Sequence, residues 1–179
     1  MSPQPTVVPT TSSVKEQQSP KVADKKSTID EQRLRDINQI AEALDAYYEK
    51  YGVYPVSKGT CEWQFDADTS PTFLIELIQD NIVDNLPHDK EGLADTNCKT
   101  IYGAKHYMYY SNGTKYAVLA NLTDTTASYN GRYNVQRLTD GDRVWFDATS
   151  KLLGSWGWSN HTVLITNPAL DKVTTIKVQ

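Results

Sequence analysis

Residues 34–55 read LRDINQIAEALDAYYEKYGVYP. Leu34, Ile37, Ala41, Leu44, Tyr48 and Tyr51 recur in alternating steps of three and four, and Ile40 and Tyr47 widen the stripe. That spacing is the single buried face of an amphipathic helix. Arg35, Asp36, Asn38, Gln39, Glu42, Asp45, Glu49 and Lys50 fall on the other face, which the pattern assigns to water. Upstream, Thr28 is followed three residues on by Glu31, a capping-box pattern. Asp30 and Glu31 suit the positive end of the helix dipole. Downstream, Gly52 can adopt the left-handed conformation that ends a helix, and Pro55 keeps it from resuming. The reading is one helix over residues 28–51.

Residues 1–27 are rich in Pro, Ser, Thr, Gln and Lys without a period, the composition of a disordered linker or tail. Residues 28–179 read as one globular domain, with 143–179 as a β-rich C-terminal extension. Residues 53–69 read as a loop, with Cys61, Trp63 and Phe65 as anchors onto the core. Ser70-Pro71 marks the start of a short helix whose apolar side is Phe73, Leu74, Leu77 and Ile78. Tyr107–Tyr110 and Lys115–Leu122 read as strands around Asn112-Gly113, the strongest short hairpin signal. Residues 143–147, 161–166 and 172–178 read as further strands, the last as an edge carrying lysines. A helix with a wide apolar face needs a partner, and an antiparallel sheet is the one at hand. The fold class is therefore α+β.

Three stretches point to a family. The first is Leu34-x-x-Ile37-x-x-x-Ala41-x-Ala43-Leu44-x-x-Tyr47-Tyr48, followed by Tyr51-Gly52-x-Tyr54-Pro55. The second is TFLIELIQDNIVDNLPHD over 72–89, ending in Leu86-Pro87-His88-Asp89. The third is Tyr107–Tyr110, Ser111-Asn112-Gly113 and Lys115–Leu122. In this order, over about half the chain, they resemble the type IV pilin-like proteins, most of all the major pseudopilins of type II secretion systems. Those proteins often carry a second proline after the loop aspartate, where Lys90 stands here. The resemblance implies a long N-terminal helix packed on an antiparallel sheet, in a non-enzymatic subunit that works outside the cytoplasmic membrane. Its partners would be other pilin or pseudopilin subunits, met through an apolar N-terminal helix.

That apolar helix is not in this sequence. No window approaches the eighteen or so apolar residues of a membrane span, and residues 1–28 contain no apolar signal-peptide core. Two origins fit: a soluble piece cut from its anchor, or a pilin-like head on a Pro/Ser/Thr stalk. The chain is read as soluble in itself and extracytoplasmic in its setting. The net charge of −4, with lysines gathered at Lys15, Lys21, Lys25 and Lys26, offers no patch for nucleic acid.

The resemblance also bears on candidate sites. It implies export, which permits Cys61 and Cys98 to pair. The bridge would close a loop of thirty-six residues, worth about 4 kcal/mol by the chain-entropy account. Two free thiols are the other reading. Major pseudopilins commonly hold calcium in the loop after the first hairpin, which here contains Asp124, Asn130, Asp140 and Asp142. Calcium takes six to eight oxygens, but Asp140-Gly141-Asp142 also reads as a simple turn. No Gly-x-Ser-x-Gly elbow, His-Glu-x-x-His helix or phosphate loop is present, and His88, His106 and His161 are scattered, so no catalytic residue is expected. Trp156 and Trp158, one glycine apart, would share one side of a strand. Buried, they complete the core of the extension. Exposed, they would support a different function, a surface-displayed module that holds a carbohydrate or a protein.

Overall fold

The computed structural model describes residues 25–58, 63–66, 72–92, 107–124, 126–127, 130–133, 135–138, 142–145, 161–167 and 172–175, with residues 25–28, 142–145 and 172–175 described by their backbone. In chain order the elements are α1 (Lys25–Tyr51), β1 (Gln64–Phe65), α2 (Ile75–Gln79), β2 (Met108–Ser111), β3 (Tyr116–Asn121), β4 (Gln136–Arg137), β5 (Asp142–Trp145), β6 (Thr162–Asn167) and β7 (Lys172–Thr175). A five-stranded antiparallel sheet runs β1-β2-β3-β6-β4, and β5 pairs with β7 in a separate two-stranded sheet. The α+β class follows directly.

Helix α1 spans 27 residues, about 40 Å at the usual rise. It is already helical at Lys25, so Thr28 is an interior residue and not the cap that the capping-box pattern suggested. Leu34, Ile37, Ile40, Ala41 and Leu44 are buried against the sheet, as their spacing demands. Each large aliphatic side chain so buried is worth about 1.5–3 kcal/mol. The stripe differs from expectation at its C-terminal end. Tyr48 and Tyr51 are 42% exposed, and they pack on other aromatic rings, Tyr48 on Tyr54 and Tyr51 on Tyr47. The helix ends where Gly52 takes φ 70° and its N–H donates to the Tyr48 carbonyl at 2.7 Å.

The sheet buries both faces at its centre. Tyr116, Val118 and Ala120 of β3 face α1 together with Tyr107, Tyr109, Val163 and Ile165. Ala117 and Leu119 face the other way, with Met108, Leu164, Leu138, Trp63 and Phe65. Trp63 and Phe65 thus anchor to the core as read, but through a short strand on the sheet's edge and the face away from α1. The apolar run Thr162–Ile165 is the buried strand expected of it, and its position is central: β6 lies between β3 and β4, so part of the segment read as an extension completes the main sheet.

The β2–β3 hairpin keeps its strands but not its expected turn. Ser111 pairs with Tyr116, which leaves a four-residue loop. Within it only Gly113 has positive φ, at 93°. Asn112 instead turns the chain with its side chain: Oδ1 accepts from Thr114 N, Thr114 Oγ1 and Lys115 N at 3.0–3.1 Å. Among the described residues no helix is long and apolar enough to cross a membrane.

Candidate functional site: a charged cavity between the helix and the Leu-Pro loop

The residues of α1 that the stripe continues through, moving toward the N-terminus, are Arg33 and Asp30. They lie four and seven positions before Ile37, on the same face as Ile40 and Leu44. Both are charged, and both are completely buried, at 1% and 0% exposure. An isolated buried charge is very costly, so each must be partnered.

Arg33 is partnered four ways. Nε and Nη2 donate to the two oxygens of Asp89 at 3.1 and 3.2 Å, the fork geometry that suits guanidinium and carboxylate. Nη1 donates to Asp30 Oδ1 and Nη2 also to Glu91 Oε2, each at 3.1 Å. Burial pulls the Arg33 pKa down, but Asp89, Glu91 and Asp30 more than offset it and hold the guanidinium above its ordinary value. Asp30 in turn accepts from Thr123 N, Thr123 Oγ1 and Asp124 N at 2.6–3.0 Å. Its role is therefore to tie α1 to the chain leaving β3, and not to complement a helix terminus.

The Leu86-Pro87-His88-Asp89 element is held from both sides. Asp89 faces Arg33, and its backbone N–H donates to Asp66 Oδ2 at 2.7 Å. His88 Nδ1 lies 2.8 Å from Asp66 Oδ1. The Asp66 N–H donates to the Tyr107 carbonyl at 2.9 Å, so the loop is fastened to the β1–β2 edge as well as to α1. Above this network is a cavity of about 800 Å³ walled by Arg33, Asp36, residues 87–91 and Tyr107. Asp36 was assigned to water by the helix pattern, yet it is 6% exposed: it accepts from Gln32 Nε2 at 2.7 Å and from Tyr107 Oη at 2.5 Å. Burial and then the Asp36 carboxylate push the Tyr107 hydroxyl far above its usual range, so it stays a neutral donor. Asn38, also assigned to water, is 4% exposed and bridges the Leu34 carbonyl to Tyr133 N. This arrangement orients and restrains. Its charges answer one another, which suits a clamp between the helix and the loop.

Of the residues singled out by sequence, His88 lines this cavity and Asp124 does not. Asp124 Oδ1 accepts from Thr126 N and Oγ1 at 2.8 and 2.7 Å, an Asx-type turn. Asn130 is exposed. Asp142 belongs to β5, described by its backbone alone, and Asp140 lies outside the described residues. Among the described residues no group of three or more His, Cys, Asp or Glu could hold a metal ion. Cys61, Cys98, His106, Trp156 and Trp158 lie outside the described residues. His161 Nδ1 is 3.1 Å from the Leu122 carbonyl, a contact between strand ends. Reading the helix as greasy against wet passes over Arg33 and leaves Asp30 only as a complement to the helix dipole. The signal that finds them is their i, i+3 spacing in register with Ile37, Ile40 and Leu44.

Neither protein-family models, nor curated proteins, nor solved structures match this chain.

Proposed function

We propose that this chain is the head of a filament subunit of the pilin or pseudopilin type, a structural protein of a secretion or pilus apparatus outside the cytoplasmic membrane. One observation supports this most. The Leu-Pro-x-Asp element is docked on the long helix through Asp89 and Arg33, and that same helix covers the β2–β3 hairpin. The three stretches that resemble the family are thus one cooperating body. A helix anchored by a buried ion pair at one end and by aliphatic packing along its length can carry force from an apolar stem into the head. In this reading the subunit does its work through surfaces, and its partners are further subunits. An oxidising compartment would pair Cys61 with Cys98. Calcium held by Asp124, Asp140 and Asp142 would raise the melting temperature over that in chelator; an unchanged melt removes the metal from the reading.

The test uses the native gene expressed in its own cells. Single cysteines at Gln39 and Glu42, both exposed on α1, are crosslinked with bifunctional maleimides of graded length. A ladder of multimers that vanishes when filament assembly is blocked is the expected result. A product that stays monomeric at every linker length, evenly spread over the envelope, sinks the assignment.

A further inference from the structure

Three Asn-x-Thr triplets stand in the sequence, beginning at Asn112, Asn121 and Asn160. Such a triplet is the acceptor pattern for an N-linked glycan, and it belongs on a surface loop. The fold sorts the three. Asn121 is half-buried in β3, where its Oδ1 accepts from Thr162 Oγ1 at 2.8 Å. The hydroxyl residue of that triplet, Thr123, donates to the buried Asp30 at 2.9 Å. Thr162 is in turn the hydroxyl residue of the triplet that begins at Asn160, which lies outside the described residues, and Thr162 is 2% exposed. The contact between β3 and β6 therefore ties up both of these triplets.

Asn112-Gly113-Thr114 is presented differently. It lies in the β2–β3 hairpin loop, and Asn112 and Thr114 are both exposed. Thr114 N, Thr114 Oγ1 and Lys115 N donate to Asn112 Oδ1 at 3.0–3.1 Å. These bonds hold the oxygen inside the turn and draw amide charge onto it. The other end of the amide, Nδ2, carries two N–H groups and makes no hydrogen bond among the described residues. An independent observation lies beside the loop. The large apolar side chains exposed among the described residues are Tyr48, Tyr51, Val53 and Val56, all at the exit of α1. That segment is fastened to the loop: Tyr54 N donates to the Gly113 carbonyl at 2.8 Å, and Val56 Cγ2 lies 3.3 Å from where a Cβ on Gly113 would stand. A run of exposed apolar side chains calls for a cover, and a glycan is bulky and solubilising.

We propose that Asn112 is a glycosylation site, the one of the three triplets that the folded chain offers to a transferase. The donor is a glycan joined through its anomeric carbon to a lipid pyrophosphate. The bond from Nδ2 to the anomeric carbon forms as the bond from that carbon to the phosphate oxygen breaks. The lipid pyrophosphate leaves with the bonding pair, and one Nδ2 proton passes to a base of the transferase. Hydrogen bonds to Oδ1 make that proton easier to lose, and Thr114 supplies one of them through its hydroxyl. A glycan rooted at Asn112 stands next to Val56 and shields the apolar exit of α1. The inference rests on the extracytoplasmic setting of the proposed function, and it does not depend on filament assembly.

The test purifies the full chain from its own cells, exported and cytosolic fractions apart, and reads its peptides by fragmentation mass spectrometry. A sugar mass on Asn112, with Asn121 and Asn160 bare, is the expected result. Thr114→Ala is expected to abolish that mass and Thr114→Ser to retain it. Both change an exposed side chain, and circular dichroism verifies that each variant is folded. A bare Asn112 overturns the proposal in whichever fraction the chain is found, as does a sugar on Asn121 or Asn160 in its place, or undiminished occupancy in Thr114→Ala. The fractions answer the setting separately: exported protein with a bare Asn112 leaves the proposed function standing.

Discussion

Arg33 is the residue on which the N-terminal half of α1 depends. It carries its charge into a site at 1% exposure and answers Asp30 and Asp89, at 0% and 5% exposure. Removing one member of a buried ion network costs more than the network contributes, because the remaining charges stay buried without partners. Arg33→Met keeps the bulk and removes the charge, and it is expected to lower stability by about 3–5 kcal/mol in urea unfolding. A loss of under about 1 kcal/mol, the scale of an exposed pair, would show that the network is solvated in solution. Gly113 is decisive for a different reason. At φ 93° a side chain is strained, and a Cβ there would meet Val56 Cγ2 at 3.3 Å. Gly113→Ala is therefore expected to cost about 1–2 kcal/mol, read as a lower urea midpoint with an unchanged slope.

At the scale of elements, the helix and the principal strands were legible, because their signals are local. The three-and-four spacing of Leu34, Ile37, Ala41 and Leu44 belongs to α1, and the run Thr162–Ile165 belongs to β6. Strands β1 and β4, two residues each, carry no pattern of their own: they exist because β2 and β6 offer them free edges. The polar flank of α1 was misread for a related reason. Asp36 and Asn38 look like solvent residues until Tyr107 and Tyr133 arrive from far along the chain to bond them. Asn112-Gly113 signals a tight hairpin turn because both residues tolerate positive φ, but only Gly113 takes it, and the Asn112 side chain supplies another solution with two more loop residues.

At the scale of the molecule, the core is rich in neutral phenols. Burial is the first cause that raises the pKa of Tyr54 from 10.0 to about 12, and of Tyr107, Tyr109, Tyr116 and Tyr133 further still. Above pH 10 the unfolded chain loses phenolic protons that the folded chain keeps, so it binds fewer protons and stability falls as pH rises. The stability these groups contribute is fully present below pH 10 and declines from there through about pH 12, where Tyr54 titrates in the folded state. Phenolate absorbance is expected to rise together with loss of the helical signal in this window; gradual ionisation with the helix intact would contradict the burial. By itself the sequence determined the α+β class, the long helix, the principal strands and the absence of a recognisable catalytic motif, because periodicity and turn chemistry act between near neighbours. Only the tertiary structure decided that Arg33 meets Asp89, that β6 lies between β3 and β4, and that the Tyr133 hydroxyl reaches Asp45. Those outcomes join residues tens of positions apart, and the burial that gives each charge or hydroxyl its meaning exists only once the chain has closed around it.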